Sequence, residues 1–407
     1  MRKSADVVIL MQQNFNLSDV TILTSSLEAI EVKPLPIFDE RILTFFSELS
    51  KSLMKDKLAQ KYSDVVTFAF FCRKSNLQNL QKKYTEDLLR FGRGMVFHIA
   101  PSNVPINFAY SLLVGMLSGN VNVVRVSNKN FPQVDLVVQH IKALSSNFPD
   151  IVERIILVRY AHESDANAYF SSLCSVRIIW GGDDTIRHIR KSLLPARSFD
   201  VCFADRYSLA VIDAQKMLQE SNINALAEGF YNDTYLFDQN ACTAPHLVLW
   251  RGSESECDQA KKLFWNAVIQ QIDKKQYNFQ SIMAIDKLVE LYRDSQRASI
   301  KRVVNNDNRL VRVELSELVD NIEDMRCAGG YFLEYNIESL NAIVPIVNTK
   351  FQTLSYYGFE KQELRSFITT NALMGIDRIV PIGKTTEFSL IWDGYDLIKI
   401  LSRVIDL

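Results

Sequence analysis

The chain has 407 residues, too many for one small core, so two lobes of about 100–200 residues each are expected. With 47% apolar and 23% charged residues the composition is that of a globular protein, and 46 basic against 47 acidic residues leave a net charge of −1. No block of like charge and no run near the ~18 apolar residues of a membrane helix is present, which argues against a nucleic-acid partner, an acidic-membrane footprint and a transmembrane segment.

The six cysteines, at 72, 174, 202, 242, 257 and 327, form no CxxC pair, so neither a zinc site nor a disulfide framework is expected, and no metal is. The N-terminal "MRKSADVVILMQQ" lacks a signal-peptide core. These features point to a soluble protein of a reducing cytoplasm, in which the Asn-x-Ser/Thr sites at Asn16 and Asn232 carry no meaning.

In the first 90 residues, "DERILTFFSELSKSLM" and "TEDLLRFG" have helical periodicity, and "DVVTFAFF" is strand-like. From residue 94 the pattern is regular. "GMVFHIA" is a buried strand, broken by "PSN". "VPINFAYSLLVGMLSG" is a helix with Pro105 in its first turn and Gly119 past its end, and it is apolar nearly all round, hence buried. The strands "VNVVRV", "RIILVRY", "VRIIW" and "SLAVID" then alternate with the helices "PQVDLVVQHIKALSS", "ESDANAYFSSL" and "GGDDTIRHIRKSL", which means a parallel sheet with helices on its faces. Beyond it come the helix "QKMLQESNINALAEGFYN", the turn at Cys242, the strand "HLVLW" and the helix "DQAKKLFWNAVIQQI". Short strands follow, "LVRVELS", "YFLEYNI", "AIVPIVN" and "TLSYYGF", and a helix near "ELRSFITTNALM" that closes on Gly375. The expected divisions are residues 1–207 as N-terminal region and nucleotide-binding domain, 208–370 as catalytic domain, and 371–407 as a C-terminal segment packing back on the first domain.

Four segments can carry chemistry. "IAPSNVP" joins a strand's C-terminal end to a helix start, the edge where open α/β sheets bind ligands and where free backbone N–H groups favour negative charge. Asn103 there could aim its amide at a developing oxyanion, although on this segment alone Ser102 or Asn103 capping the helix is the simpler account. In "WGGDDTIRHI", Gly181 and Gly182 permit close approach of a ligand, but Asp183 and Asp184 would repel a phosphate, and this is no GxGxxG fingerprint. "RVSNKN" ends a strand with Arg125, Ser127 and Lys129 close together, either a solvated strand end or a phosphate site.

The fourth is "FDQNACTAP", which sets Cys242 in a polar turn ahead of an apolar run. A thiol nucleophile needs exposure, a lowered pKa and an oxyanion donor, all available to a loop at a domain junction, although most unpaired cysteines are inert core residues. The histidines show no metal-ligand spacing. His98, inside a buried strand, is structural, and His246 has no assigned role because side chains diverge along a strand.

Taken together, these segments resemble the aldehyde dehydrogenase superfamily, and within it the LuxC-type acyl-CoA reductases. "APSNVP" with "GNVNVVRVSNKN" is similar to the superfamily's Pro-x-Asn-x-Pro turn and following Gly-Asn-x-x-x-x-Lys-Pro-Ser-Glu strand. "IIWGGDDTIRHI" stands in the place of its Phe-Thr-Gly-Ser-Thr turn, and "DQNACTAPHLVLW" resembles the Gly-Gln-x-Cys nucleophile loop. "KFQTLSYYGF" and "RIVPIGKTTEFSLIWDGYDLI" are similar to LuxC-type segments.

The resemblance runs from about residue 90 to the end. It implies an aldehyde dehydrogenase-like α/β fold, with a Rossmann-type cofactor-binding domain and an α/β catalytic domain carrying the nucleophile. Cys242 then matches the residue that is S-acylated by an acyl-CoA thioester, and Asn103 the side chain completing its oxyanion hole. A nicotinamide bound near Pro101, Ser102, Arg125, Ser127, Lys129, Gly181 and Gly182 then reduces the acyl group to an aldehyde, with a fatty acyl group as the expected substrate.

Two departures refine this. The glutamate that activates hydrolytic water in aldehyde-oxidising members falls in "VCFADRYS", near Phe203, so water should attack the acyl-enzyme poorly. The acid of the ribose site is Asn128 here and the lysine is Arg125, which removes repulsion toward a 2′-phosphate and favours NADPH, with NADH possible. The family also implies an acyl-protein synthetase or thioesterase partner and a homo-oligomer. The alternatives are a CoA-acylating aldehyde dehydrogenase running oxidatively and a non-catalytic scaffold for a synthetase.

Overall fold

The structure is a computed structural model that describes residues 15–24, 32–84 and 88–406. It divides into two compact units, one made of the described residues up to Ala204 with those from Tyr395 onward, the other of Asp205–Gly394. The boundary falls ahead of the expected 207/208, and of the expected C-terminal segment 371–407 only the part from Tyr395 belongs to the first unit.

The first unit contains β1 (Thr21–Ile22), β2 (Leu89–Gly92), β3 (Met95–Ile99), β4 (Val121–Arg125), β5 (Ile155–Arg159), β6 (Val176–Trp180) and β7 (Phe199–Phe203). Six of them form one sheet in the order β1-β5-β4-β3-β6-β7, parallel from β5 to β7 with β1 antiparallel at the edge. The chain winds outward from β3 through β4 to β5, then returns to the other side of β3 for β6. The direction of winding therefore reverses between β3 and β6, the crevice at which such sheets bind ligands. β2 lies outside this sheet and pairs antiparallel with the strand Ser402–Ile405.

The helix after β3, Asn107–Leu117, buries every residue but its first, as its all-round apolar pattern requires. It packs over His98, whose Nδ1 lies 2.7 Å from Ser111 Oγ and whose Nε2 lies 2.9 Å from Asn122 Oδ1. A Cβ on Gly115 would come within 1.9 Å of that Asn122 oxygen, so this position needs the bare glycine. His98 is thus a structural histidine, and burial drives its pKa down to about 4.

Two early expectations are corrected. "DVVTFAFF" is the helix Ser63–Phe71, not a strand, because Val65, Phe68 and Ala69 repeat at helical spacing and are buried. "TEDLLRFG" is not a helix where it is described: Leu89–Gly92 is β2, held by pairing with the C-terminal strand, while 85–87 lie outside the described residues.

The second unit contains β8 (Tyr207–Asp213), β9 (Pro245–Arg251), β10 (Ile300–Asp307), β11 (Leu310–Leu315), β12 (Tyr331–Ile337), β13 (Phe351–Tyr357) and β14 (Arg378–Pro381). Their order is β10-β11-β12-β9-β8-β13-β14, parallel except for β10 at the edge. Leu209, Val211, Leu247, Leu249 and Leu333 form the centre of one core face, and Trp250, Phe264, Trp265 and Phe332 fill the other.

Three expectations change here. "QKMLQESNINALAEGFYN" breaks into Ala214–Leu218 and Ile223–Thr234, because Asn222 caps the second helix by accepting from Ala225 N at 3.2 Å. "AIVPIVN" is not a strand; Leu340–Ile346 is a 3-10 helix, and Pro345 has no N–H to give a ladder. The helix Lys361–Asn371 ends on left-handed Ala372 rather than on Gly375, a position where an added Cβ would come within 2.1 Å of Asn348 O.

Candidate active site

Cys242 is held by a loop fixed at both ends. Three residues earlier, Gln239 is buried and has a positive φ of 62°. Its Nε2 donates to the backbone oxygens of Pro245 and Tyr331, at 3.0 and 2.9 Å, and its Oε1 accepts from Gly330 N and Tyr331 N, at 2.9 and 3.0 Å. This one amide ties the loop to the starts of β9 and β12. On the other side, Ser208 Oγ donates to the Cys242 backbone oxygen at 2.7 Å. Cys242 is an exposed residue, as a nucleophile must be.

Its sulfur nevertheless faces a polar cluster that sequence reasoning did not single out. Gln352, the second residue of β13, places Nε2 3.5 Å from Cys242 Sγ, and the same nitrogen donates to Asp393 Oδ1. Arg206, just before β8, pairs with Asp377 and donates to the backbone oxygen of Phe351 at 3.0 Å. The thiol pKa is not lowered, as a simple thiolate nucleophile would require. Desolvation of the sulfur, with the Asp393 charge beside it, pushes it up to about 11, against the opposing pull of Gln352 and Arg206. Burial also raises the Asp393 carboxyl.

His246 is no base for this thiol. It is buried, stacked on Tyr207 with ring centroids 5.7 Å apart, and driven down to about 3 by burial and the charge of Arg326. Of the remaining cysteines, Cys72, Cys174 and Cys257 are buried, and Cys202 and Cys327 are half-buried.

In the first unit, the expected cofactor residues collect at the C-terminal ends of β3, β4 and β6, around the point where the winding reverses. Pro101, Ser102 and Asn103 follow β3, Ser102 and Asn103 being exposed. The helix beyond them starts from Ile106, which makes no side-chain cap bond, so neither Ser102 nor Asn103 is its N-cap. Arg125 ends β4 with its guanidinium 4.8 Å from the Tyr160 ring centroid, and its buried Nε has no hydrogen-bond partner. Ser127 Oγ accepts from Lys129 N at 3.1 Å, and Asn128 Nδ2 donates to Tyr160 O at 2.9 Å, which orders the turn beside Arg125. An orphaned guanidinium donor at a strand end fits an anionic group of a dinucleotide.

Gly182 has open space where a Cβ would stand, whereas a Cβ on Gly181 would meet Thr185 at 3.0 Å. The following helix, Asp183–Ile189, opens with two exposed carboxylates, Asp184 pairing with Arg187, and these oppose a phosphate there. Phe203 is buried and stacked on Trp180, with ring centroids 3.7 Å apart. Among the described residues no group of His, Cys, Asp and Glu could hold a metal, and no helix is long and apolar enough to cross a membrane.

The fold is that of the aldehyde dehydrogenases. A 1-pyrroline-5-carboxylate dehydrogenase variant from Thermus thermophilus superposes with a TM-score of 0.62 at 10% identity, covering 98% of this chain and 94% of that one. A glyceraldehyde-3-phosphate dehydrogenase from Methanocaldococcus jannaschii, complexed with NADP, gives 0.60 at 12% identity, over 90% and 88% of the two chains. By sequence, a long-chain acyl-protein thioester reductase from Vibrio harveyi is 25% identical over 77% of this chain and 64% of its own length. One of the same description from Aliivibrio fischeri is 23% identical over 73% and 60%. The matched part therefore spans less than two thirds of these relatives. A family model described as acyl-CoA reductase (LuxC) matches residues 22–404, and the chain belongs to that family.

Proposed function

We propose that this protein is an acyl-thioester reductase that takes a fatty acyl group from a thioester such as acyl-CoA onto Cys242 and releases it as an aldehyde, with NADPH as reductant. The observation that carries this reading is Cys242 itself. It is a cysteine of an exposed position in a loop pinned by Gln239 and Ser208, with an amide donor at its sulfur, in a chain of the acyl-CoA reductase family.

In the first step the Cys242 sulfur bonds to the acyl carbon, the bond from that carbon to the CoA sulfur breaks, and the thiol proton ends on the departing CoA thiolate. One thioester replaces another, so little free energy is needed. Asn103 is assigned to the oxyanion that forms on the acyl oxygen. Arg125, Ser127 and Lys129 at the end of β4 would hold a nicotinamide cofactor, which when bound would supply a hydride for the acyl carbon. The bond from the acyl carbon to the Cys242 sulfur then breaks, the aldehyde departs, and a proton from solvent returns Cys242 to its thiol. The apolar Phe203 offers no proton acceptor to water, which favours reduction over hydrolysis. The names of the relatives support a long-chain acyl group and a protein-bound acyl donor, consistent with an acyl-protein synthetase as supplying partner.

The test is intact-mass measurement after incubation with a long-chain acyl-CoA without nucleotide. The protein should gain one acyl mass, Cys242→Ala should gain none, and added NADPH should discharge the adduct as aldehyde. A fully acylated Cys242→Ala, or an unmodified native protein, refutes the reading.

A further inference from the structure

Gln352 is 2% exposed, and its side-chain amide has one orientation only. Nε2 donates to the Asp393 carboxylate with one hydrogen and points the other at Cys242 Sγ, 3.5 Å away, while Oε1 takes the Thr353 hydroxyl at 3.4 Å. Turned over, the amide would set its oxygen against a carboxylate that only accepts. Asp393 stands in an Asp-Gly turn, with φ of 47° at Asp393 and 76° at Gly394, a conformation that these two residues adopt at little cost. The turn therefore aims a carboxylate, the carboxylate fixes an amide, and the amide meets the sulfur.

We propose that Gln352 and Asp393 form a positioning pair for the Cys242 nucleophile, Gln352 donating to the sulfur when it becomes a thiolate and Asp393 both holding that amide and keeping the resting sulfur protonated by its charge. The inference rests on Cys242 being the nucleophile of the proposed reaction. The two members act in opposite senses on the same proton. A hydrogen bond to a thiolate stabilises it, whereas a carboxylate in a poorly solvated site opposes it. The other charges around this sulfur are Arg206, which favours the thiolate, and Arg378, whose guanidinium interacts with both Cys242 and Asp393 and is tied to the backbone oxygens of Thr385, Lys384 and Glu387. Asp377 faces Asp393 and pairs with Arg206, so part of the Arg206 charge is spent away from the sulfur. A nucleophile held as a thiol until an acyl thioester reaches it is also guarded against oxidation, which proceeds through the thiolate.

The pair is tested on the full chain by the pH profile of iodoacetamide alkylation at Cys242, read by peptide mass spectrometry, with acyl adduct formation from acyl-CoA measured on the same preparations. Asp393→Asn keeps an acceptor for Gln352 and suits the positive φ, but removes the charge. Its alkylation midpoint should move down by about one pH unit, with roughly tenfold faster alkylation at pH 8. Gln352→Leu should move the midpoint up and slow alkylation several-fold. Opposite shifts establish the pair, whereas unmoved midpoints, or two shifts in the same direction, overturn it. Should Gln352→Leu fail to fold, the sign of the Asp393→Asn shift decides alone. Alkylation requires no acyl transfer, so the two readings fail separately: shifted midpoints without any acyl adduct leave the pair standing and refute the reductase, and an adduct with unmoved midpoints does the reverse.

Discussion

The two units are built on parallel sheets of the same kind, yet their candidate residues stand at different ends of the strands. In the first, Asn103, Arg125 and the Gly181–Gly182 turn follow the C-terminal ends of β3, β4 and β6, where helix N-termini and free N–H groups gather. In the second, Arg206, Cys242 and Gln352 stand at the N-terminal ends of β8, β9 and β13. The C-terminal ends there border a cavity of about 540 Å³ lined by Gly252, Ser253, Glu254, Lys301 and Glu314, which is where the general rule for open sheets would look. On the proposed reading an anionic cofactor is met by backbone N–H groups together with the guanidinium of Arg125. A nucleophile needs side chains converging from several strands, and either end of a sheet can provide them.

Three experiments would break or sharpen this contrast. The largest effect belongs to Asn103→Ala. If its amide serves the oxyanion on the acyl group, acyl transfer to Cys242 should slow roughly a hundredfold while nucleotide affinity changes little. The melting temperature should hold, because the N-cap position of that helix is Ile106 and not Asn103. A normal rate would confine the chemistry to the second unit alone.

Acid should separate the units next. In the first, the pKa of His98 is about 4 against an ordinary 6.5, so this histidine adds stability above about pH 6.5 that is lost as pH falls toward 4. His246, at about 3, acts in the same sense in the second unit. There, however, Asp233 and Asp294 are pushed up to about 6 from 3.8 by burial. Their folded-state values lie above the unfolded ones, so the stability they contribute is lost as pH rises through 6 and returns on acidification. Lowering the pH from 7 to 5 should cost the first unit roughly 2 kcal/mol, whereas in the second the loss from His246 is offset by the gain from Asp233 and Asp294. Hydrogen exchange resolved by unit would show it, and His98→Gln should remove most of the first unit's loss. Equal losses in the two units would mean that these groups do not set the difference.

The smallest expected effect is on cofactor choice. Arg125→Ala should weaken NADPH roughly tenfold more than NADH, and Asn128→Glu should turn the preference toward NADH, because a carboxylate a few ångströms from a 2′-phosphate opposes it by about 1 kcal/mol or more. Comparing kcat/KM for both cofactors on the three proteins decides it. Equal losses would take the phosphate away from the end of β4.

The sheet of the first unit was legible because its strands β3 to β6 are continuous apolar runs punctuated by Pro, Gly and Asn, and each crossover helix lies between two of them. The elements that were missed break such patterns. β7 lies in the polar-flanked "SFDVCFAD", and β10 carries Lys301 and Arg302 as an edge strand would. The helix Ile282–Arg297 turns Ile282, Ile285, Leu288, Val289 and Tyr292 outward and buries Lys287, Glu290 and Asp294, the reverse of what amphipathic spacing predicts.

The same division holds at the site. The sequence by itself determined the parallel α/β architecture, the exposure of Cys242 in a turn and the structural role of His98, because these depend on periodicity and on residues near in the chain. Only the tertiary structure decided what touches the sulfur. Gln352 and Asp393 lie within segments whose resemblance to the family was visible, yet nothing local marks a glutamine in an apolar strand or an aspartate before a glycine as partners of a cysteine more than a hundred positions away. The thiol pKa was misjudged for the same reason. Its sign is set by desolvation and by one carboxylate that the fold delivers, and neither is written in the residues around Cys242.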